Sequence, residues 1–276
     1  MDKNKKKYLN IIQIFFISLF ISNCSYLNNQ KNNAQLSDNE MYSDGLTSLQ
    51  KGDFKKANLN FENISLNFPF SSLASRSEIM SAYSLFENNE LKKAIIKLND
   101  FIEMNPKGEL TQYAHYLLAM CYYSQISTEG RDPSLTINAL NSFRLIETKY
   151  PNTKYGKDSK LKIQFLENSL ARNELNIGKF YLKKGAPASS IKRFKFILQN
   201  YQNTSAIPET LYRLSEALLI IGLKDEAIKS SAILNYNFPD NKWADLSKNL
   251  FENNLNLAQI KDDELSIIDY FKNIFE

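Results

Sequence analysis

One pattern recurs five times along this chain, and few folds can use it. From Phe54 the side chains Ala57, Phe61 and Ile64 follow at offsets of +3, +7 and +10, and Pro69 closes the run at +15. The same ladder reads Leu91, Ala94, Leu98, Phe101 and Pro106, then Thr136, Ala139, Phe143, Ile146 and Pro151. It returns as Pro187, Ser190, Phe194, Ile197 and Gln202, and last as Lys224, Ala227, Ser231, Leu234 and Pro239. These offsets place the side chains on one face of an α-helix. The small residue at the second rung lets an antiparallel neighbour approach closely, and a proline beyond the ladder cannot continue the helix. Gly52, Gly185 and Gly222 stand just before their ladders, where an inter-helix turn favours positive φ. The pattern predicts helix–turn–helix units, each burying its apolar face only against its neighbours.

Composition agrees with that reading. Eight Gly and seven Pro in 276 residues are too few for the many turns of a β-sandwich or barrel. With 43% apolar residues the chain can bury a sizeable core. One His and two Cys do not build a structural zinc site without several carboxylates, so no metal site and no cofactor are expected. A net charge of +4 is too slight for a nucleic-acid binder. The fold class expected is all-α, with little catalytic chemistry on offer and no catalytic residues.

The first thirty residues read as an address. Lys3, Lys5, Lys6 and Lys7 against Asp2 give a basic start, and an apolar run follows from Tyr8 to Ile21. That run is short for a span of about 20 residues but suits the h-region of a secretory signal. It ends in Ile21-Ser22-Asn23-Cys24, which resembles a bacterial lipobox, with Asn23 the departure from the small residue usual there. Such a Cys24 takes a diacylglyceryl group on sulfur and an acyl chain on its freed amine, and several chains anchor far more firmly than one. An uncleaved amphipathic anchor, or a Cys there by chance, is the alternative. Ser25 after the Cys, where Asp would signal inner-membrane retention, points to the outer membrane. Removing residues 1–23 takes +3 away and leaves +1 on the mature chain. Residues 24–38, rich in Asn and Gln, read as a polar tether.

The ladder resembles the tetratricopeptide (TPR) repeat, best at Gly45, Phe54, Ala57, Phe61 and Pro69. The implied fold is a TPR-type α-solenoid of about five repeats with a C-terminal helix. Stop positions lie 37, 45, 51 and 37 residues apart. The excess falls in a loop around Ile126–Leu135 and in a lengthened helix from about Tyr155 to Lys183. The domain boundaries expected are repeats one to three over 39–151, repeats four and five over 152–250, and a closing helix over 251–276.

Three stretches narrow the resemblance. Tyr122-Tyr123-Ser124-Gln125-Ile126 with Arg131-Asp132-Pro133 and Tyr150-Pro151-Asn152-Thr153-Lys154-Tyr155 resembles the central segment of the BamD family. Ala171-Arg172-Asn173-Glu174 through Phe180–Ala186 resembles that family's fourth repeat, and Arg213–Ala217 with Leu223 its fifth. Gln202 for Pro, and Lys184 where Arg is usual, are departures. The resemblance implies a lipid-anchored scaffold at the periplasmic face of the outer membrane, in the β-barrel assembly (BAM) complex. Its C-terminal repeats would hold the barrel catalyst BamA beside other BAM subunits, and its N-terminal repeats would receive unfolded outer-membrane proteins. Arg193 matches an arginine of the BamA-coupling surface. Ile191, Phe194, Ile197 and Leu198 form a buried stripe that turns Lys192, Arg193 and Lys195 outward, with Lys184 nearby. An arginine there can fork onto a partner carboxylate as lysine cannot; the alternative is an ordinary solvated cation.

The remaining residues weigh function against packing. Tyr83, Tyr116, Tyr122 and Tyr123 fall on first helices of the repeats, where they either fill seams or, with Arg131, line a groove for an extended peptide. Asp132 would cap the next helix or touch a partner. His115 has no nucleophile or ligand at a working spacing and reads as structural or surface. Cys121 reads as a buried small hydrophobe. Leu265, Ile268, Phe271 and Ile274/Phe275 form the apolar side of a last helix behind Asp262-Asp263-Glu264. Another periplasmic TPR lipoprotein, coordinating cell-envelope or division machinery, is the alternative function. An appended enzyme has no stretch of about 100 residues in which to fold.

Overall fold

The computed structural model describes residues 36–126 and 133–251, and every regular element among them is an α-helix. The expected signal over residues 1–23, Cys24, Arg131, Asp132 and the segment after Phe251 lie outside these residues. The chain divides into two compact units, Met1–Asn88 and Asn89–Glu276. No helix of the described residues is long and apolar enough to cross a membrane.

The first unit holds α1 (Asp38–Gln50), α2 (Phe54–Asn67) and α3 (Ala74–Glu87). A capping box opens α1: the Ser37 hydroxyl accepts from the Glu40 N–H at 3.3 Å, and the Ser37 N–H donates to the Glu40 carboxylate at 2.9 Å. Two otherwise orphaned donors are satisfied. The ladder residues Ala57, Phe61 and Ile64 are fully buried on α2. Gly45 of α1 is what lets the Phe61 ring in, because a Cβ there would lie 2.7 Å from it. The Ser81 hydroxyl then ties α3 to α2 through Asn58, at 2.6 Å.

The second unit holds α4 (Leu91–Met104), α5 (Thr111–Tyr123), α6 (Ser134–Lys149) and α7 (Lys154–Lys183). It continues with α8 (Pro187–Asn200), α9 (Ile207–Ile220), α10 (Lys224–Asn237) and α11 (Lys242–Phe251). Each helix packs on the next in sequence, in TPR-type antiparallel hairpins. The ladders bury as expected: Ala94, Leu98 and Phe101 on α4, Ala139, Phe143 and Ile146 on α6, Ser190, Phe194 and Ile197 on α8, and Ala227, Ser231 and Leu234 on α10. The long helix α7 covers the expected span in 30 residues.

The helix ends show the repeat most clearly. The ladder helices α2, α4, α6, α8 and α10 stop on Phe68, Asn105, Tyr150, Tyr201 and Phe238, with φ between −125° and −136° and ψ between 44° and 57°. In each, the cap N–H donates to the carbonyl of the ladder's fourth rung: Ile64, Phe101, Ile146, Ile197 or Leu234. The exit at Tyr201 has this geometry although Gln202 replaces proline, so the cap conformation ends the helix and the proline only reinforces it. At the turns into α2, α8 and α10, Gly52, Gly185 and Gly222 take φ of 75°, 72° and 82°. Asn89 fills the same position before α4 with φ of 59°. Asn is the side chain that best tolerates the left-handed region, which is why no glycine marks that turn.

One helix goes beyond the sequence reading. Residues 242–251 form α11, which packs on α10 and α9. The Ser231 and Ser247 hydroxyls meet at 2.6 Å, Trp243 lies 5.3 Å from the Tyr212 ring, and Phe251 is buried.

Candidate partner-binding surfaces

The basic cluster expected near Arg193 stands on the α7–α8 hairpin. Two local features fix that hairpin. Gly185 takes positive φ, so the Ala186 N–H reaches back to the Tyr181 carbonyl at 3.0 Å. Pro187 then opens α8, its missing N–H costing nothing at a first-turn position. Gly178 allows the helices to close, since a Cβ there would lie 2.3 Å from the buried Phe194 ring.

With Phe194, Ile197 and Leu198 buried, Lys192 is exposed, and Arg193, Lys195 and Ile191 are half-buried. Arg193 is already engaged: its Nη1 donates to Glu174 of α7 at 2.9 Å. One nitrogen is used, which leaves the rest of the fork for another acceptor. A recess of about 280 Å³ lies beside it, lined by Tyr181, Ser189, Lys192, Arg193 and Phe196. Phe180 is 56% exposed, edges onto Tyr181 at 5.8 Å, and carries the Lys184 ammonium 5.8 Å above its ring. Aromatic side chains interleaved with arginine and lysine are what protein interfaces favour at their centres. Sequence reasoning found the cations but missed Phe180, Tyr181 and Phe196. An aromatic repeat residue reads as packing until the helix face is known.

The groove tyrosines divide. Tyr83 lies on α3 in the first unit, and its hydrogen bond to Glu87 raises its phenol above the ordinary range, with burial adding to it. Tyr116, Tyr122 and Tyr123 share α5 in the second unit. Tyr116 donates to Asp158 of α7 at 2.6 Å, and its ring lies 5.0 Å from Tyr155, which in turn lies 5.6 Å from Tyr113. Burial, then the bond to Asp158, pushes the Tyr116 phenol up. Burial works against the Asp158 carboxylate, but the Tyr116 hydroxyl and Lys162 outweigh it and hold its pKa below the usual value. Tyr123 edges onto Phe143 and Phe165, with Lys162 over its ring, and Tyr122 is half-buried against the same core. Packing therefore accounts for much of each ring.

Cys121 is fully buried, and burial pushes its thiol up to about 12. His115 is half-buried against Tyr150, and burial, then the nearby Lys149, lowers its pKa. Among the described residues no three His, Cys, Asp or Glu side chains converge as a metal site.

Residues 34–234 match the family described as YfiO, outer membrane lipoprotein. A relative from Rickettsia prowazekii is 41% identical over 213 residues, covering 77% of this chain and 85% of its own length; it is named outer membrane protein assembly factor BamD. The chain belongs to the BamD (YfiO) family. A second BamD, from Caulobacter vibrioides, is 39% identical over 203 residues, covering 74% of this chain and 67% of its own. The family match takes in the α7–α8 surface and both tyrosine sets, and ends within α10, before α11.

Proposed function

We propose that this chain is an outer-membrane lipoprotein scaffold of the β-barrel assembly machinery, anchored through an acylated Cys24 and facing the periplasm. Its α7–α8 surface holds a BamA-like barrel assembly protein, and the repeats before it receive unfolded outer-membrane proteins. The protein works by holding two partners at one membrane address, which raises their effective concentration, and not by chemistry of its own. The observation that carries this reading is the α7–α8 surface, where Lys192 and Arg193 share a recess with Tyr181 and Phe196, and Lys184 stands over the Phe180 ring beside Tyr181, on a hairpin closed by Gly178. Membership in a family of outer membrane lipoproteins favours it over a division or envelope scaffold.

The test is a pull-down of the full mature protein from detergent-solubilised membranes. Wild type recovers the BamA-like protein, and Arg193→Glu lowers that recovery by about tenfold or more, the effect of losing an interface arginine and adding a like charge. The Arg193–Glu174 pair is half-exposed, with side-chain exposures of 42% and 17%, so its stability contribution is below about 1 kcal/mol. Melting of Arg193→Ala, which breaks the pair without placing a carboxylate beside Glu174, therefore shifts by no more than about 4 °C. Absence of the BamA-like protein from the wild-type sample overturns the proposal. A sharp fall in melting with binding per folded molecule unchanged makes Arg193 structural instead.

A further inference from the structure

A second basic groove, apart from the Arg193 surface, lies between α7 and α9. It measures about 370 Å³ and is lined by Lys179, Leu182 and Lys183 of α7 and by Arg213, Glu216 and Ile220 of α9. Lys179 is paired with Glu209 at 3.1 Å, and Arg213 with Glu216 at 2.7 Å. Lys183 is exposed and has no ion pair among the described residues. The Arg213 Nε is buried without a hydrogen bond, its carboxylate contact being Glu209 at 3.7 Å. Ile220 is 63% exposed at the groove's end, on a helix whose Leu211, Leu214 and Leu218 are buried. The groove thus joins two apolar side chains, Leu182 and Ile220, to three cations, of which Lys179 and Arg213 already face carboxylates and Lys183 has none among the described residues.

The chain beyond α11 suits it in charge, pattern and reach. Residues 252–276 hold six acidic side chains against two basic, a net of −4, whereas residues 24–251 hold 28 basic against 23 acidic, a net of +5. Leu265, Ile268, Phe271 and Phe275 recur at helical spacing, and Asp262, Asp269 and Glu276 recur every seven residues, an acidic edge beside that apolar face. The helices α9 and α11 both run antiparallel to α10 across short turns, so they run parallel to each other. Trp243 lies against Tyr212, and Phe251 and Ile220 each come eight residues later. At about 1.5 Å per residue, the chain leaves α11 level with the Ile220 end of the groove. Neighbouring helix axes lie about 10 Å apart. The nine residues 252–260 span up to about 30 Å extended, enough to carry the rest of the tail to the α7–α9 groove.

We propose that the C-terminal segment 261–276 folds back onto this groove in the same molecule. Its apolar side covers Leu182 and Ile220, and its acidic edge meets Lys183 and Arg213. The tail is then an internal competitor for any acidic ligand of the C-terminal repeats. This fold-back does not depend on the assembly role, and its test uses the purified full mature chain alone.

A photo-crosslinking residue, benzoylphenylalanine, replaces Phe271. Irradiation at low concentration gives crosslinks within the monomer to residues 179–183 and 213–220, mapped by mass spectrometry after proteolysis. Lys183→Glu and Ile220→Glu, both at exposed positions, each cut that yield by about fivefold, as does raising salt from about 50 to about 500 mM. Circular dichroism of both variants matches the parent. Crosslinks elsewhere on the monomer, crosslinks confined to a dimer band, no crosslinks, or yields indifferent to both variants each overturn the proposal.

Discussion

The single titratable imidazole shows how far a residue can be read from its neighbours in sequence. Ala114 and Tyr116 already place His115 in an apolar helix, but its contacts are set by Tyr150 and Lys149, which come from the end of the next helix. Burial and that lysine hold its pKa below the ordinary 6.5, so the folded chain binds the proton less readily than the unfolded chain. Stability is therefore full above about pH 6.5 and falls as pH drops from there toward the depressed folded value. Urea midpoints measured across that window show a decline that His115→Gln reduces; an unchanged slope would mean that other groups carry it. Arg193 carries a parallel lesson. The helical wheel of α8 predicts an outward cation, while its pairing with Glu174, nineteen residues earlier, is a fact of the α7–α8 crossing. Glu174 stands within a family-like stretch, yet nothing in that stretch names its partner.

At the scale of elements the ladder was almost fully legible, because a helix with a 3-7-10 apolar face has one way to bury it. The glycines were legible in kind but not in cause. Gly185 stands where the φ of 72° requires it, whereas Gly178 lies inside a helix, where glycine costs about 1 kcal/mol against alanine. Its reason is the Phe194 ring, which a Cβ would meet at 2.3 Å. Carbon atoms pack at about 3.5–4.0 Å, and Phe194 has no exposed side on which to yield, so the clash outweighs the gain in helix propensity. Gly178→Ala lowers stability by about 1–3 kcal/mol, a melting shift of about 2–10 °C for a body of this size. Adding Phe194→Leu recovers part of the loss, a non-additivity that a double-mutant cycle in urea reads directly. An equal loss in both backgrounds would place the role of Gly178 elsewhere. The helix α11 escaped the sequence reading because it is ten residues long and no ladder follows it. Only its seats on Tyr212 and Ser231 make it an element.

For the whole molecule, charge is unevenly spread along the sequence. Of the overall +4, residues 1–23 carry +3, and the remaining +1 divides into +5 over residues 24–251 and −4 over residues 252–276. On the proposed anchoring, Cys24→Ser leaves the leader uncleaved and the chain without acyl groups. Intact mass then rises by the leader and falls by the lipid, and the protein loses acyl-dependent partition into detergent; a mass differing from wild type only by the substituted atom refutes lipidation. The sequence by itself determined the helical class, the positions of the ladder helices and their stops, and the kinship with the BamD family. The class and the ladder follow from spacing along the chain, which covalent geometry converts directly into faces and turns, and the kinship from the likeness of particular stretches. Only the tertiary structure decided that Glu174 holds Arg193, that Tyr181 and Phe196 share one recess with Lys192 and Arg193, and that Tyr116 is committed to Asp158. Those pairings join residues on different helices, and the crossing of packed helices, not the spacing within one, sets which side chains meet.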